Sequence, residues 1–162
     1  MMDNTVMRLE KKIAELLTQH NKTLSLAESC TGGHLANLLT NIPGSSTFFK
    51  FGVIAYHNDA KTKLLQVPSS FLKKFGAVSP EVAQRMAQNV RKILNTDFSL
   101  SITGIAGPAG NTAVKPIGLT YIAAATRKKI LCFKYLFKGN RVQIKRQAAR
   151  QALKLLINIC DE

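Results

Sequence analysis

The stretch Ala27-Glu28-Ser29-Cys30-Thr31-Gly32-Gly33 sets two nucleophile types, a carboxylate and two glycines side by side. A serine attacks a carbonyl when a base sits beside it. Paired glycines let a substrate approach the backbone closely. A helix opening just beyond them offers free N–H groups to an anion or a developing oxyanion. Ser29 is therefore a candidate nucleophile, and Thr31, Gly32 and Gly33 are candidate substrate-binding positions. The plain alternative is that Ser29 or Thr31 only caps the helix. Cys30 is a rival nucleophile, although the neighbouring residue on such a turn more often points into the core. Glu28 is either a buried acceptor or an orienter.

Three further segments carry chemistry-bearing residues. Tyr56-His57-Asn58-Asp59-Ala60-Lys61 holds a possible base. Burial or a nearby cation can lower a lysine pKa toward neutrality, and Tyr56 would relay a proton or hold the lysine. Otherwise Lys61 is a surface helix residue and Tyr56 a core residue with a wet hydroxyl. Thr103-Gly104-Ile105-Ala106-Gly107-Pro108-Ala109-Gly110-Asn111-Thr112, running on to Lys115-Pro116, fits neither the phosphate loop GxxxxGK[ST] nor GxGxxG. It is a backbone nest for an anion or a plain surface loop. Gly139-Asn140-Arg141 opens the last helix; Arg141 suits bidentate phosphate recognition, or belongs to a solvated basic face.

Two familiar constellations fail. Tyr56 and Lys61 stand five residues apart rather than the four of short-chain dehydrogenases, and the dinucleotide fingerprint is missing. No Ser-x-x-Lys of the β-lactamase kind follows Ser29. With His20, His34 and His57 alone and no clear Asp partner, a Ser-His-Asp triad is unsupported.

The elements that must position these residues alternate. Val6, Leu9, Ile13, Leu16 and Leu17 recur at helical spacing over Thr5 to His20. Thr23 to Ala27 reads as a strand and Gly32 to Asn41 as a helix stopped by Pro43 and Gly44. Phe48 to His57 reads as a central strand, Lys61 to Gln66 as a short helix, and Pro68 to Lys74 as a turn. Ser79-Pro80-Glu81 starts a helix whose apolar face is Val82, Met86, Val90 and Ile93. Phe98 to Thr103 is a strand, Gly104 to Pro116 a loop, and Gly118 to Ala125 with Ile130 to Phe137 a hairpin with a basic tip. Arg141 to Ile159 closes the chain as an amphipathic helix. The pattern predicts an α/β fold, a three-layer α/β/α sandwich on a mixed sheet.

Composition sets the outer bounds. The 162 residues suit one domain spanning 1–162, with 46% hydrophobic and 20% charged residues. Apolar runs are too short to cross a bilayer, the first twelve residues carry no secretory pattern, and Cys30, Cys132 and Cys160 make no CxxC pair. We expect a reducing compartment, with no membrane, no metal and no cofactor. The formal charge is +14, and Phe98 to Cys160 carries eleven basic residues and no acidic one. Such a field concentrates anions, from a phosphorylated small molecule to a nucleic acid. Phe133, Tyr135 and Phe137 alternate with Lys134 and Lys138, as in a half-buried strand or an aromatic-basic nucleic-acid surface.

Taken together, LAESCTGG, IPGSS, YHNDAK, FGAVSPEVA, ITGIAGPAG, KPIG and GNR, in that order, resemble the CinA C-terminal family, whose stand-alone form is PncC-type. The resemblance runs from about residue 5 to residue 158. It implies an α/β/α fold, a bacterial cytoplasmic location, and deamidation of nicotinamide mononucleotide in pyridine-nucleotide salvage, without metal. By matched motif it implies Ser29 as nucleophile and Lys61 as its assistant, with Tyr56 beside it. It further implies Thr103 and Gly104 in the substrate pocket and Arg141 as the late arginine. Lys115 is a second phosphate candidate. The chain departs from the family pattern at His57, at Ala109 and Asn111 where Gly-Pro-Gly-Gly or Gly-Pro-Asp-Gly-Gly is usual, and at Asn140 where Asp is usual. A positive φ at Ala109 or Asn111 would be costly. We expect the carbonyl oxygen to face N–H groups of the Thr31–Gly33 turn or the Thr103–Gly104 strand end. A homo-oligomer, a dimer in the first instance, is also expected. The alternatives are a basic nucleic-acid-binding protein and a catalytically degenerate family member.

Overall fold

A computed structural model describes residues 4–160. Among them the elements run α1 (Asn4–Gln19), β1 (Leu24–Glu28), α2 (His34–Thr40), β2 (Phe49–Ile54), α3 (Asn58–Leu65), α4 (Ser69–Phe75), α5 (Pro80–Ile93), β3 (Phe98–Gly104), β4 (Leu119–Ala125), β5 (Ile130–Leu136) and α6 (Arg141–Cys160). The side chain of Val6 lies outside the described residues.

The sheet is mixed, in the order β2-β1-β3-β4-β5. β1 pairs parallel with both β2 and β3, placing Glu28 opposite Ile54 on one side and Ile102 on the other. β4 and β5 add on antiparallel. One face carries Leu24, Leu26, Leu100, Ile102 and Ile122 and packs against α1, α2 and α6. The other packs against α3, α4 and α5. The domain is the expected three-layer α/β/α sandwich on a mixed sheet.

Where α5 meets β4, the packing is built from small residues. Ala83 and Ala87 of α5 meet Ala123 and Ala125 of β4. Ser99 Oγ donates to the Ala87 carbonyl and Ser101 Oγ to the Ala83 carbonyl, both at 2.6 Å. The short side chains bring α5 close to the sheet, and the buried hydroxyls are satisfied by helix carbonyls.

Several expectations change. β2 is an edge strand, so the apolar run Phe48–His57 is not central, and it ends at Ile54. α3 starts at Asn58 because His57 caps it, its Nδ1 accepting from the Asp59 N–H at 3.2 Å. Pro68 does not open a turn; it precedes a real helix, α4, steadied by an edge-on contact of Phe71 with Phe75. Ile93 is exposed rather than on the buried face of α5. Gly32 and Gly33 have φ of 61° and 93°, so α2 begins after them, at His34.

Candidate active site

The carboxyl ends of β1, β2 and β3 meet at one end of the sheet. Chain leaves β1 toward the α2 face and β2 toward the α5 face, the situation in which open α/β sheets form a crevice. A cavity of about 290 Å³ lies there, lined by Ser29, Cys30, Tyr56, Asn58, Lys61, Ala77, Val78, residues 103–107, Ala109, Gly110 and Arg141.

Ser29 and Lys61 are buried in it, 7% and 1% exposed. Lys61 Nζ lies 3.1 Å from Ser29 Oγ, 2.8 Å from the Ala55 carbonyl and 3.2 Å from the Tyr56 carbonyl. No carboxylate forms an ion pair with it among the described residues. Burial therefore pushes the Lys61 pKa below its ordinary value. Nζ donates to the two carbonyl oxygens and to the Ser29 hydroxyl; once it loses a proton, its lone pair is within reach of the serine proton.

Cys30 lies beside Ser29 but is packed in the hydrophobic core. Burial raises its thiol to about 11, far from a reactive thiolate. Glu28 is buried at the last position of β1. Its Oε2 accepts from the Gly33 and Leu35 N–H groups, both at 3.1 Å, and its Oε1 from the Ala36 N–H at 2.8 Å. The Gly32 N–H is taken by the Ser29 carbonyl. The Gly32–Gly33 part of the turn thus has no donors to spare for an oxyanion, contrary to expectation. Among the described residues, the N–H groups of Cys30, Ala106 and Gly107, all in the cavity lining, have no backbone acceptor.

Tyr56 is 55% exposed, and its hydroxyl accepts from Arg141 Nη2 at 2.6 Å. Only its backbone carbonyl touches Lys61, so the hydroxyl stands apart from the Ser29–Lys61 contact. Arg141 Nη1 donates to the Gly107 carbonyl at 2.7 Å. The arginine ties the β2–α3 connection to the loop after β3 and keeps its remaining donors. A capping box presents it: Asn140 Oδ1 accepts from the Gln143 N–H at 3.0 Å, and Gln143 Oε1 from the Asn140 N–H at 2.8 Å. Asn serves that cap as well as Asp would.

Of the residues singled out in the sequence, Ser29, Lys61, Tyr56, Thr103, Gly104 and Arg141 are brought together. Thr31, Gly32, Gly33 and Lys115 do not line the cavity. Thr31 is fully buried and its Oγ1 has no partner. Lys115 Nζ donates to the Phe75 carbonyl at 2.6 Å, closing the end of α4. Thr103 Oγ1 donates to the Ala77 carbonyl at 2.8 Å, fixing the Ala77–Val78 wall. The positive φ angles of the β3–β4 loop fall on Gly107, Gly110 and Gly118, not on Ala109 or Asn111. Asn58 and the Ala77–Val78 wall were not foreseen. The only signal for them was the position of Asn58 between Tyr56 and Lys61, and the helix start at Ser79.

Fold and site define an α/β domain with a buried serine–lysine contact at the carboxyl edge of its sheet. The chain belongs to the CinA C-terminal domain family, which matches residues 6–160. A CinA-like protein of Endomicrobium trichonymphae is 49% identical over 141 residues, 87% of this chain and 33% of that protein. The chain thus spans about a third of the length of such curated relatives. The crystal structure of the competence/damage inducible protein CihA from Agrobacterium tumefaciens superposes with a TM-score of 0.96 at 35% identity, covering 100% of this chain and 99% of that one. A CinA superfamily protein from Klebsiella pneumoniae gives 0.93 at 31% identity, over 98% and 99%. Among the described residues no helix is long and apolar enough to cross a membrane.

Proposed function

We propose that the chain is a carboxamide hydrolase acting on nicotinamide mononucleotide, giving nicotinic acid mononucleotide and ammonia. The observation that carries this reading is the 3.1 Å contact between Ser29 Oγ and the buried Nζ of Lys61. A lysine with no carboxylate partner, depressed by burial, is a base suited to activating serine near neutral pH.

Neutral Lys61 takes the Ser29 proton as Oγ bonds to the amide carbon. The carbonyl oxygen becomes an oxyanion, for which the N–H of Cys30 and those of Ala106 and Gly107 are the assigned donors. The tetrahedral intermediate collapses, the C–N bond breaks, and the Lys61 ammonium gives its proton to the departing nitrogen, which leaves as ammonia. Water then attacks the ester carbon as Lys61 accepts its proton, and the Lys61 ammonium returns that proton to Ser29 Oγ as the acyl C–O bond breaks and the acid product leaves. Tyr56 and Arg141 frame the mouth, and the unused guanidinium donors of Arg141 face the phosphate. Lys115, held at the end of α4, shapes the wall instead of binding phosphate.

The test is ammonia release from nicotinamide mononucleotide. Wild type releases it, and Ser29→Ala loses essentially all turnover while remaining folded. Equal rates from the two proteins would remove the serine mechanism.

A further inference from the structure

Four observations converge on Glu28. It is fixed at both flanks, since its carbonyl accepts from the Ala55 N–H at 2.8 Å and the next N–H, of Ser29, donates to the Ile102 carbonyl at 3.0 Å. Its buried carboxylate crosses the Ser29–Gly33 turn and collects three N–H groups at the start of α2. Gly33, in the N-cap position of that helix, supplies no side-chain cap. Thr31 Oγ1 stays without a partner, and Ser29 Oγ is turned to Lys61.

Serine and threonine beside a helix start ordinarily spend their hydroxyls on its free N–H groups. Here a carboxylate from the preceding strand does that work from across the turn. We propose that Glu28 is a positioning residue: by capping α2 through space, it holds the turn taut and leaves the Ser29 hydroxyl free for Lys61. The proposal rests on Ser29 being the nucleophile assigned above.

Glu28→Gln keeps the side-chain volume but sets an NH₂ group against N–H donors. Glu28→Ala empties the slot. Two readouts separate this proposal from the deamidase reading. One is the rate at which a fluorophosphonate modifies Ser29, its hydroxyl oxygen bonding to phosphorus as fluoride leaves; this needs no substrate. The other is kcat and KM for nicotinamide mononucleotide. In Glu28→Gln we expect the Ser29 modification rate and kcat to fall by about 10²-fold, the scale of a misplaced reacting group, with KM unchanged. Formate, filling the vacated slot, restores the modification rate of Glu28→Ala and leaves that of Glu28→Gln as it was. Wild-type rates in Glu28→Gln overturn the proposal, as does a folded Glu28→Ala that ignores formate. Should the alanine variant not fold, Glu28→Gln decides alone. Brisk Ser29 modification in wild type without ammonia release would sink the deamidase reading and leave the role of Glu28 standing.

Discussion

Lys61 carries the pH behaviour. Burial lowers its pKa from the ordinary lysine value, so at pH values above the lowered pKa the amine is neutral and able to act as base. The rate of ammonia release should rise with pH through that value and then level off. Lys61→Arg stays charged and Lys61→Met has no base, so both should lose turnover at every pH. Stability has a worked sign as well. Because the folded-state value is depressed, the unfolded chain binds the proton more readily between the two values. The penalty is in full force below the lowered value and disappears as pH rises to about 10.4. Denaturant midpoints of wild type should therefore climb relative to Lys61→Met over that window; parallel curves would show Lys61 is not depressed. Residue types and order in the sequence were enough to single out Ser29 and Lys61. The partner of Tyr56 was not legible, because Arg141 lies 85 residues further along the chain. The role of Glu28 was hidden for a related reason: its acceptors are used across a turn whose shape depends on the φ angles of Gly32 and Gly33.

At the scale of elements, α6 presents Arg141 through the reciprocal Asn140–Gln143 cap. Asn140→Ala should cost about 1 kcal/mol, which corresponds to a drop of roughly 2–4 °C in Tm for a chain of this size. It should also raise KM for the nucleotide as Arg141 loosens. Asn140→Asp should match wild type in both. Equal Tm values for the alanine and wild-type proteins would show that the cap is idle. The sequence announced this helix start and that of α5, where Ser79 Oγ accepts from the Val82 N–H at 3.3 Å. It did not announce α4, since a proline before Ser-Ser reads equally as a turn or a helix entry. Nor did it mark β2 as an edge strand. A short apolar run has the same pattern whether a neighbour covers one side or both, and only the pairing order resolves it. The concern over Ala109 and Asn111 dissolves at this scale too, because the loop places its left-handed turns on glycines.

Across the whole molecule, a formal charge of +14 surrounds a site proposed to take an anionic nucleotide. Long-range attraction should raise kcat/KM at low salt and fade as the Debye length shortens. The salt dependence should be clear for nicotinamide mononucleotide and weak for the corresponding nucleoside, which lacks the phosphate. Identical salt dependence for both would mean that the charge serves something other than this substrate, and duplex DNA titrated over the same salt range would be the next ligand to try. The three-layer sandwich was legible in the alternation of elements. The purpose of the charge was not, because net charge governs encounter and solubility and is largely independent of fold.

The central claim is that Ser29, activated by Lys61, attacks a carboxamide. Its most direct test is peptide mapping by mass spectrometry of protein quenched in acid during turnover of nicotinamide mononucleotide. The predicted result is an acyl group, the substrate less its amide nitrogen, esterified to Ser29 and missing from the Ser29→Ala protein. An acyl group mapped to Cys30 would contradict the account.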